Sequence, residues 1–265
     1  MKRKIIIPAS LVIILAILAG IVFISANRKY EIPILMYHNL CESESDVNSQ
    51  TVTAEKFESD LKWLKDHGYK TILPCDMAIE ASRTENYKPP KKAVIITFDD
   101  GYRSNYELAF PLLKKYDMCA EVSVITSLID QAEETYTTFC TWDMLKEMAG
   151  SGVFEIGSHT DNMHNPDNGG NMYNGEPNGV QRYTAGEVTK DLALSHDKIV
   201  KNLDIYPVTF AYPYGEINQE AEHNVSAYYA VTFTTTPQMA NVKNGMFQLG
   251  RFRVDQNTDL SSVLK

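Results

Sequence analysis

The sequence predicts an α/β fold built on a mostly parallel sheet, closed or open, and two observations carry this. Short apolar runs alternate with helical patterns from Ile32 to Val254, the rhythm of buried strands and crossover helices. Several of those runs also end abruptly on residues suited to chemistry, and in parallel α/β proteins ligands gather at the carboxyl ends of the strands. The chain has 265 residues, ordinary globular composition and a net charge of -9. That length suits one large domain, and the acidic balance with no basic stripe excludes nucleic acid as the main partner.

From the N-terminus, Lys2, Arg3 and Lys4 precede an apolar run from Ile5 to Ile24 broken only by Pro8, Ser10 and Gly20. About 20 apolar residues suffice to cross a bilayer, and a cleavable signal has a shorter apolar region. Residues 1–29 are therefore expected to be a short cytoplasmic tail and a single-pass signal-anchor, with residues 30–265 as an extracytoplasmic catalytic body. The basic residues before the span, against Arg28 and Lys29 after it, favour that orientation. Secretion after cleavage at the poor Ile24-Ser25-Ala26 site is the alternative.

Candidate strands follow at Ile32–Tyr37, Tyr69–Leu73, Val94–Phe98, Glu121–Ile125, Val153–Ile156, Val208–Ala211, Tyr229–Thr234 and Phe247–Val254. The first two flank a helix that Thr53 caps, Phe57, Leu61 and Leu64 stripe, and Gly68 ends. Trp142, Leu145 and Met148 mark a shorter helix stopped by Gly150. Thr184 with Glu187 forms a capping box for a helix striped by Val188, Leu192, Ile199 and Leu203. Pro111 is expected to break or restart the helix between Ser104 and Tyr116. The polar stretch Asn165–Tyr183 reads as a surface loop on the rim of the site. Cys41, Cys75, Cys119 and Cys140 contain no CxxC pair, so a cysteine zinc site is not expected, and no disulfide pairing is selected.

Four strand ends carry the chemistry. Ala93–Phe98 stops on Asp99, Asp100 and Gly101, two adjacent carboxylates that are costly to bury without a cation or proton between them. Val153–Ser158 ends on His159, with His164 five residues on. Asp100, His159 and His164 offer three N/O ligands that leave positions open for water, the pattern of a catalytic metal site. Phe210-Ala211-Tyr212-Pro213-Tyr214-Gly215 forces a tight turn whose backbone N–H groups can face an oxyanion. Pro33–Tyr37 ends on His38, a candidate acid or base.

Together, TFDDGY, EIGSHT with its later histidine, FAYPYG and IPILMYH resemble the polysaccharide deacetylase family, with the poly-N-acetylglucosamine deacetylase-like branch most alike, over roughly Ile32 to Val254. The resemblance implies a distorted (β/α) barrel and a divalent metal, commonly Zn2+, with Co2+, Ni2+ or Mn2+ accepted by the same donors. It implies Asp99 as general base and Asp100, His159 and His164 as metal ligands. It also implies the Tyr214 backbone amide as oxyanion donor and His38 as general acid, in a permuted motif order. The expected substrate is an N-acetylglucosamine-containing glycan of the cell envelope or exported from the cell. Many members carry an arginine before the Pro-Tyr pair, where this chain has Tyr212. Arg251 or Arg253 is the candidate to tune the base instead. Leu194-Ser195-His196-Asp197 matches a further family motif in text, but it lies within a helix and is read as a solvated segment.

Three other functions compete with N-deacetylation. A glycosidase would pair Asp99 with Glu155 or Asp161 at ~5–10 Å without metal. A non-catalytic glycan-binding protein would keep only the fold. An O-acetyl esterase would use the same site on acetylated glycans.

Overall fold

The structure, a computed structural model, describes residues 28–134, 138–164, 183–215, 217 and 219–264. Seven strands of its main sheet run in the order Val231–Phe233, Thr209–Ala211, Phe154–Ser158, Ala120–Val124, Ala93–Asp100, Ile34–Tyr37 and Phe252–Arg253. An eighth, Lys70–Thr71, pairs with the start of the Ala93–Asp100 strand. All these pairings are parallel, so the carboxyl ends collect at one pole.

The sheet curls until one segment joins its two edges. Leu249 exchanges backbone hydrogen bonds with Thr232 and Thr234 on one edge, and Val254 donates to Met36 on the other. The strand expected over Phe247–Val254 is accordingly cut to Phe252–Arg253, because the segment must leave one edge before it reaches the next. Gly250 sits at that crossing, where an added Cβ would lie 2.7 Å from the Thr236 carbonyl oxygen. The result is a distorted barrel of parallel strands closed by irregular chain.

Alternation along the strands divides the core. Val94, Ile96 and Phe98 face outward, packing in one cluster with Phe57, Leu61, Leu64, Leu145, Met148 and Ile199 from the helices. Ile95 faces inward with Ile34, Ala211, Val231 and Phe233, forming an apolar plug inside the barrel. Thr97 and Asp99 continue the inward row above that plug.

The expected helices form as Ala54–Asp66, Trp142–Gly150 and Ala185–Leu203. Thr53 accepts from the Lys56 amide, and Thr184 and Glu187 form the reciprocal capping box. Pro74–Arg83, Thr126–Glu134 and Gln219–Ser226 are further helices that apolar spacing had not signalled. The restart expected at Pro111 forms: a π-turn over Asn105–Ala109 gives way to an α-helix, Phe110–Tyr116, with Pro111 in its first turn, where the missing N–H costs little.

Among the described residues no helix is long and apolar enough to cross a membrane. The Ile5–Ile24 run lies outside the described residues, as do residues 165–182 of the expected rim loop. Cys41, Cys75, Cys119 and Cys140 are all free thiols.

Candidate active site

The two aspartates end the central strand, where simple alternation would send them to opposite faces of the sheet. Instead Asp100 takes a φ of 74° and Gly101 a φ of 82°, and this bend takes Asp100 out of the alternation. Its carboxylate meets two histidines rather than the outer helix layer. The Asp100 Oδ1 atom lies 3.6 Å from His159 Nε2 and 3.9 Å from His164 Nε2. It is buried and has no hydrogen-bond partner among the described residues.

Asp99 has the opposite environment. The Arg251 guanidinium donates to Asp99 Oδ1 from one terminal nitrogen and to Oδ2 from the other, both at 2.7 Å. Arg251 is completely buried, held also by the Thr234 carbonyl and the Thr97 hydroxyl at 3.1 Å each. Burial alone would raise the Asp99 carboxyl, but the Arg251 charge, with His159 beside it, holds it below the usual carboxylate range. Burial and the adjacent Asp99 charge push Asp100 up to about 7. One carboxylate therefore has its cation built into the protein, and its neighbour does not.

His159 is oriented from behind. Its Nδ1 lies 2.6 Å from the Ala211 carbonyl oxygen, which can only accept, so Nδ1 carries the proton and Nε2 presents its lone pair to Asp100 and His164. The ring is buried and its pKa is lowered to about 3, chiefly by burial, so it is neutral as a metal ligand must be. His164 stacks on the Tyr214 ring at 4.6 Å and 23°. The ligand atoms of Asp100, His159 and His164 all lie within 4.8 Å of one another. An orphaned carboxylate oxygen and two neutral, oriented imidazoles are the donor set a divalent cation needs, and these residues fit one.

The loop between the histidines is fixed by a residue the sequence did not flag. Asp191, from the Ala185–Leu203 helix, accepts the Asp161 and Asn162 amides on its two oxygens at 2.8 Å each. Its place beside Leu192 in an otherwise apolar stripe was the available signal. Thr97 was missed as well, although it lies two residues before Asp99 on the same strand face.

A cavity of about 300 Å³ opens over these groups, lined by Met36, His38, Asp99, His159, His164, Tyr214 and Arg253 among others. His38 is held there by Asn105, whose side-chain amide donates to the His38 carbonyl at 2.8 Å. Burial lowers its ring to about 4, against the opposing pull of Asp99. Tyr214 has left-handed backbone at φ 59° in the turn Pro213–Gly215, where first-turn N–H groups lack helical acceptors. Gly215 lets this turn approach Thr235, since a Cβ there would lie 2.4 Å from the Thr235 amide nitrogen. Of the two arginine candidates, Arg251 reaches Asp99. Arg253 instead donates to the Ser49 carbonyl and only borders the cavity.

Neither Glu155 nor Asp161, the second carboxylate a glycosidase would pair with Asp99, lines this cavity. Glu155 accepts the Cys75 amide, and Asp161 is engaged by Thr126 and Lys198. His196 stays in the helix, packed near Tyr206 and Tyr228.

Residues 86–233 match the family model described as polysaccharide deacetylase. The chain belongs to the polysaccharide deacetylase family. It is 34% identical over 235 residues to the Bacillus subtilis protein YxkH, named for the same family, covering 88% of this chain and 74% of that one. It is 30% identical over 178 residues to the Staphylococcus aureus poly-beta-1,6-N-acetyl-D-glucosamine N-deacetylase, covering 67% of this deacetylase but only 58% of that enzyme. The solved Streptococcus pyogenes deacetylase PplD, in complex with acetate, superposes with a TM-score of 0.74 at 29% identity, covering 89% of this chain and 98% of that one. A de-N-acetylase from Aggregatibacter actinomycetemcomitans gives 0.75 at 28% identity, covering 88% and 98%. This deacetylase is accordingly a hydrolase.

Proposed function

We propose that this deacetylase removes N-acetyl groups from a polysaccharide containing N-acetylglucosamine, using a divalent metal. The observation that carries the reading is the unequal treatment of the two aspartates. Asp99 has both oxygens on Arg251, whereas Asp100 keeps a buried oxygen facing only two neutral imidazoles. The names of the staphylococcal and Aggregatibacter relatives support the N-acetyl substrate.

Asp100, His159 and His164 would hold the metal, zinc first and Co2+, Ni2+ or Mn2+ by the same donors. When bound, it supplies Lewis acidity to the acetyl carbonyl and acidifies water. Asp99 takes the proton of the attacking water. Each of its oxygens still has a lone pair beyond the one Arg251 uses, and the guanidinium keeps the carboxylate ionised and aimed. The Tyr214 backbone N–H meets the oxyanion that develops on the acetyl oxygen. His38 is neutral at rest. Negative charge building beside it favours uptake of a proton from solvent, which it passes to the departing amine, while Asp99 returns the water's proton to solvent once acetate leaves. Atoms balance as water plus amide giving acetate and amine.

The roles separate in two variants. Asp99→Asn should keep metal by elemental analysis while losing acetate release by roughly 10²–10⁴-fold. His159→Ala should lose both. Loss of metal from Asp99→Asn, or full metal content in His159→Ala, would overturn the assignment.

A further inference from the structure

The pole opposite the active site carries a feature for which the deacetylation chemistry has no use. A concave surface of about 550 Å³ is lined by Arg28, Lys29, Lys88, Lys91 and Lys92, with Pro33, Ala93, Met239 and Leu264 as its apolar floor. All five cations are exposed. None forms an ion pair with a carboxylate among the described residues. Their secondary contacts are weak or local: Lys92 donates to the His67 carbonyl and lies over the Tyr69 ring, and Lys29 lies over Tyr30. Glu31 is the one acidic residue in the lining. This concentration stands out in a chain whose net charge is -9, which without these five cations would be -14.

Position gives the cluster its meaning. Pro33 immediately precedes, and Ala93 begins, two strands that run to His38 and to the aspartates. The rise from Ala93 to Asp100, seven steps at about 3.3 Å each, puts the active site roughly 23 Å away. Arg28 follows Ile24, the end of the apolar run, by four residues, which can span at most about 14 Å of extended chain. If that run lies in a bilayer, its exit point is tethered beside this surface, with the catalytic cavity directed away.

We propose that this basic pole docks on an anionic phospholipid surface, seating the barrel upright on the membrane with its active site facing outward. This rests on the membrane reading of Ile5–Ile24. Phosphate head groups match the exposed cations clustered around this concavity. Each cation near such a surface is worth on the order of fivefold in partitioning, and the attraction fades within roughly a Debye length of 8–10 Å. The short tether keeps the surface near that range.

The test uses the full chain reconstituted in vesicles of phosphatidylcholine alone, or with one third phosphatidylglycerol. The readout is acylation of Lys88, Lys91 and Lys92 by an amine-reactive ester, followed by mass spectrometry. The expected result is several-fold protection in the anionic vesicles only, lost in high salt and lost in the K88E/K91E/K92E variant. Inorganic phosphate should give no protection to protein in neutral vesicles; protection by phosphate alone would make this a small-anion site and overturn the docking surface. Equal acylation in both vesicle types, with the protein retained after an alkaline wash, would also overturn the docking. Failure to stay with either vesicle would overturn the membrane reading on which it rests. The variant should keep wild-type acetate release from a soluble oligosaccharide, because the altered side chains lie at the far pole.

Discussion

Replacing Arg251 by methionine keeps most of its volume while removing its charge. It leaves Asp99, only 2% exposed, without the two 2.7 Å hydrogen bonds that compensate its burial. Breaking one side of a buried ion pair costs about 3–5 kcal/mol, because the surviving charge is uncompensated. The sign of the pH dependence is distinctive. In the native chain the Asp99 carboxyl is held below its unfolded value of about 3.9, so its contribution is complete above that pH and is lost as pH falls toward the folded pKa. In Arg251→Met the carboxyl is instead raised by burial, and stability is lost as pH rises from the unfolded value to the new folded one. The gap between the two proteins should therefore widen from pH 4 to pH 8. Urea denaturation across that range, with chelator present so that metal release adds nothing, measures it. The double variant R251M/D99N should recover more than half of the loss at pH 8, since it buries no unpaired charge. A gap independent of pH, or a double variant as unstable as the single one, would refute the claim that Arg251 exists to hold Asp99 ionised.

Two further outcomes follow from the site. His38→Ala should lower acetate release by about 10²-fold or more, whereas His196→Ala should leave it unchanged. The reverse pattern in a steady-state assay would place the general acid on the helix motif instead. Asp191→Ala removes two charge-assisted hydrogen bonds from the loop that carries His164. It should weaken metal affinity by about 10–100-fold in a competition titration with a chromogenic chelator, and unaltered affinity would show that the loop needs no such support.

Much of this was legible in the sequence because the chemistry sits where strands end. The aspartate strand, the His159 strand and the Tyr214 turn each read as an apolar run that stops on a functional residue. The structure brings those three ends, with His38, around one cavity. What the spacing could not give was the partner of Asp99. Arg251 and Arg253 are two residues apart, with Arg251 just before the short strand Phe252–Arg253, and only the crossing of that segment between sheet edges decides which one turns inward. Asp191 was hidden for a different reason. A lone carboxylate beside an apolar stripe looks like a helix surface position until the loop it caps is in view. The π-turn before Pro111 likewise depends on packing that the proline rule alone does not contain.

The central claim is best tested by incubating the protein with oligomers of N-acetylglucosamine, β-1,6 and β-1,4 linked, and measuring acetate and free amine together. Equal amounts of both products are expected, abolished by EDTA and restored by zinc. Acetate from acetylated xylan with no amine from any N-acetyl oligomer would contradict N-deacetylation, and full release in the presence of EDTA would contradict the role given to Asp100, His159 and His164.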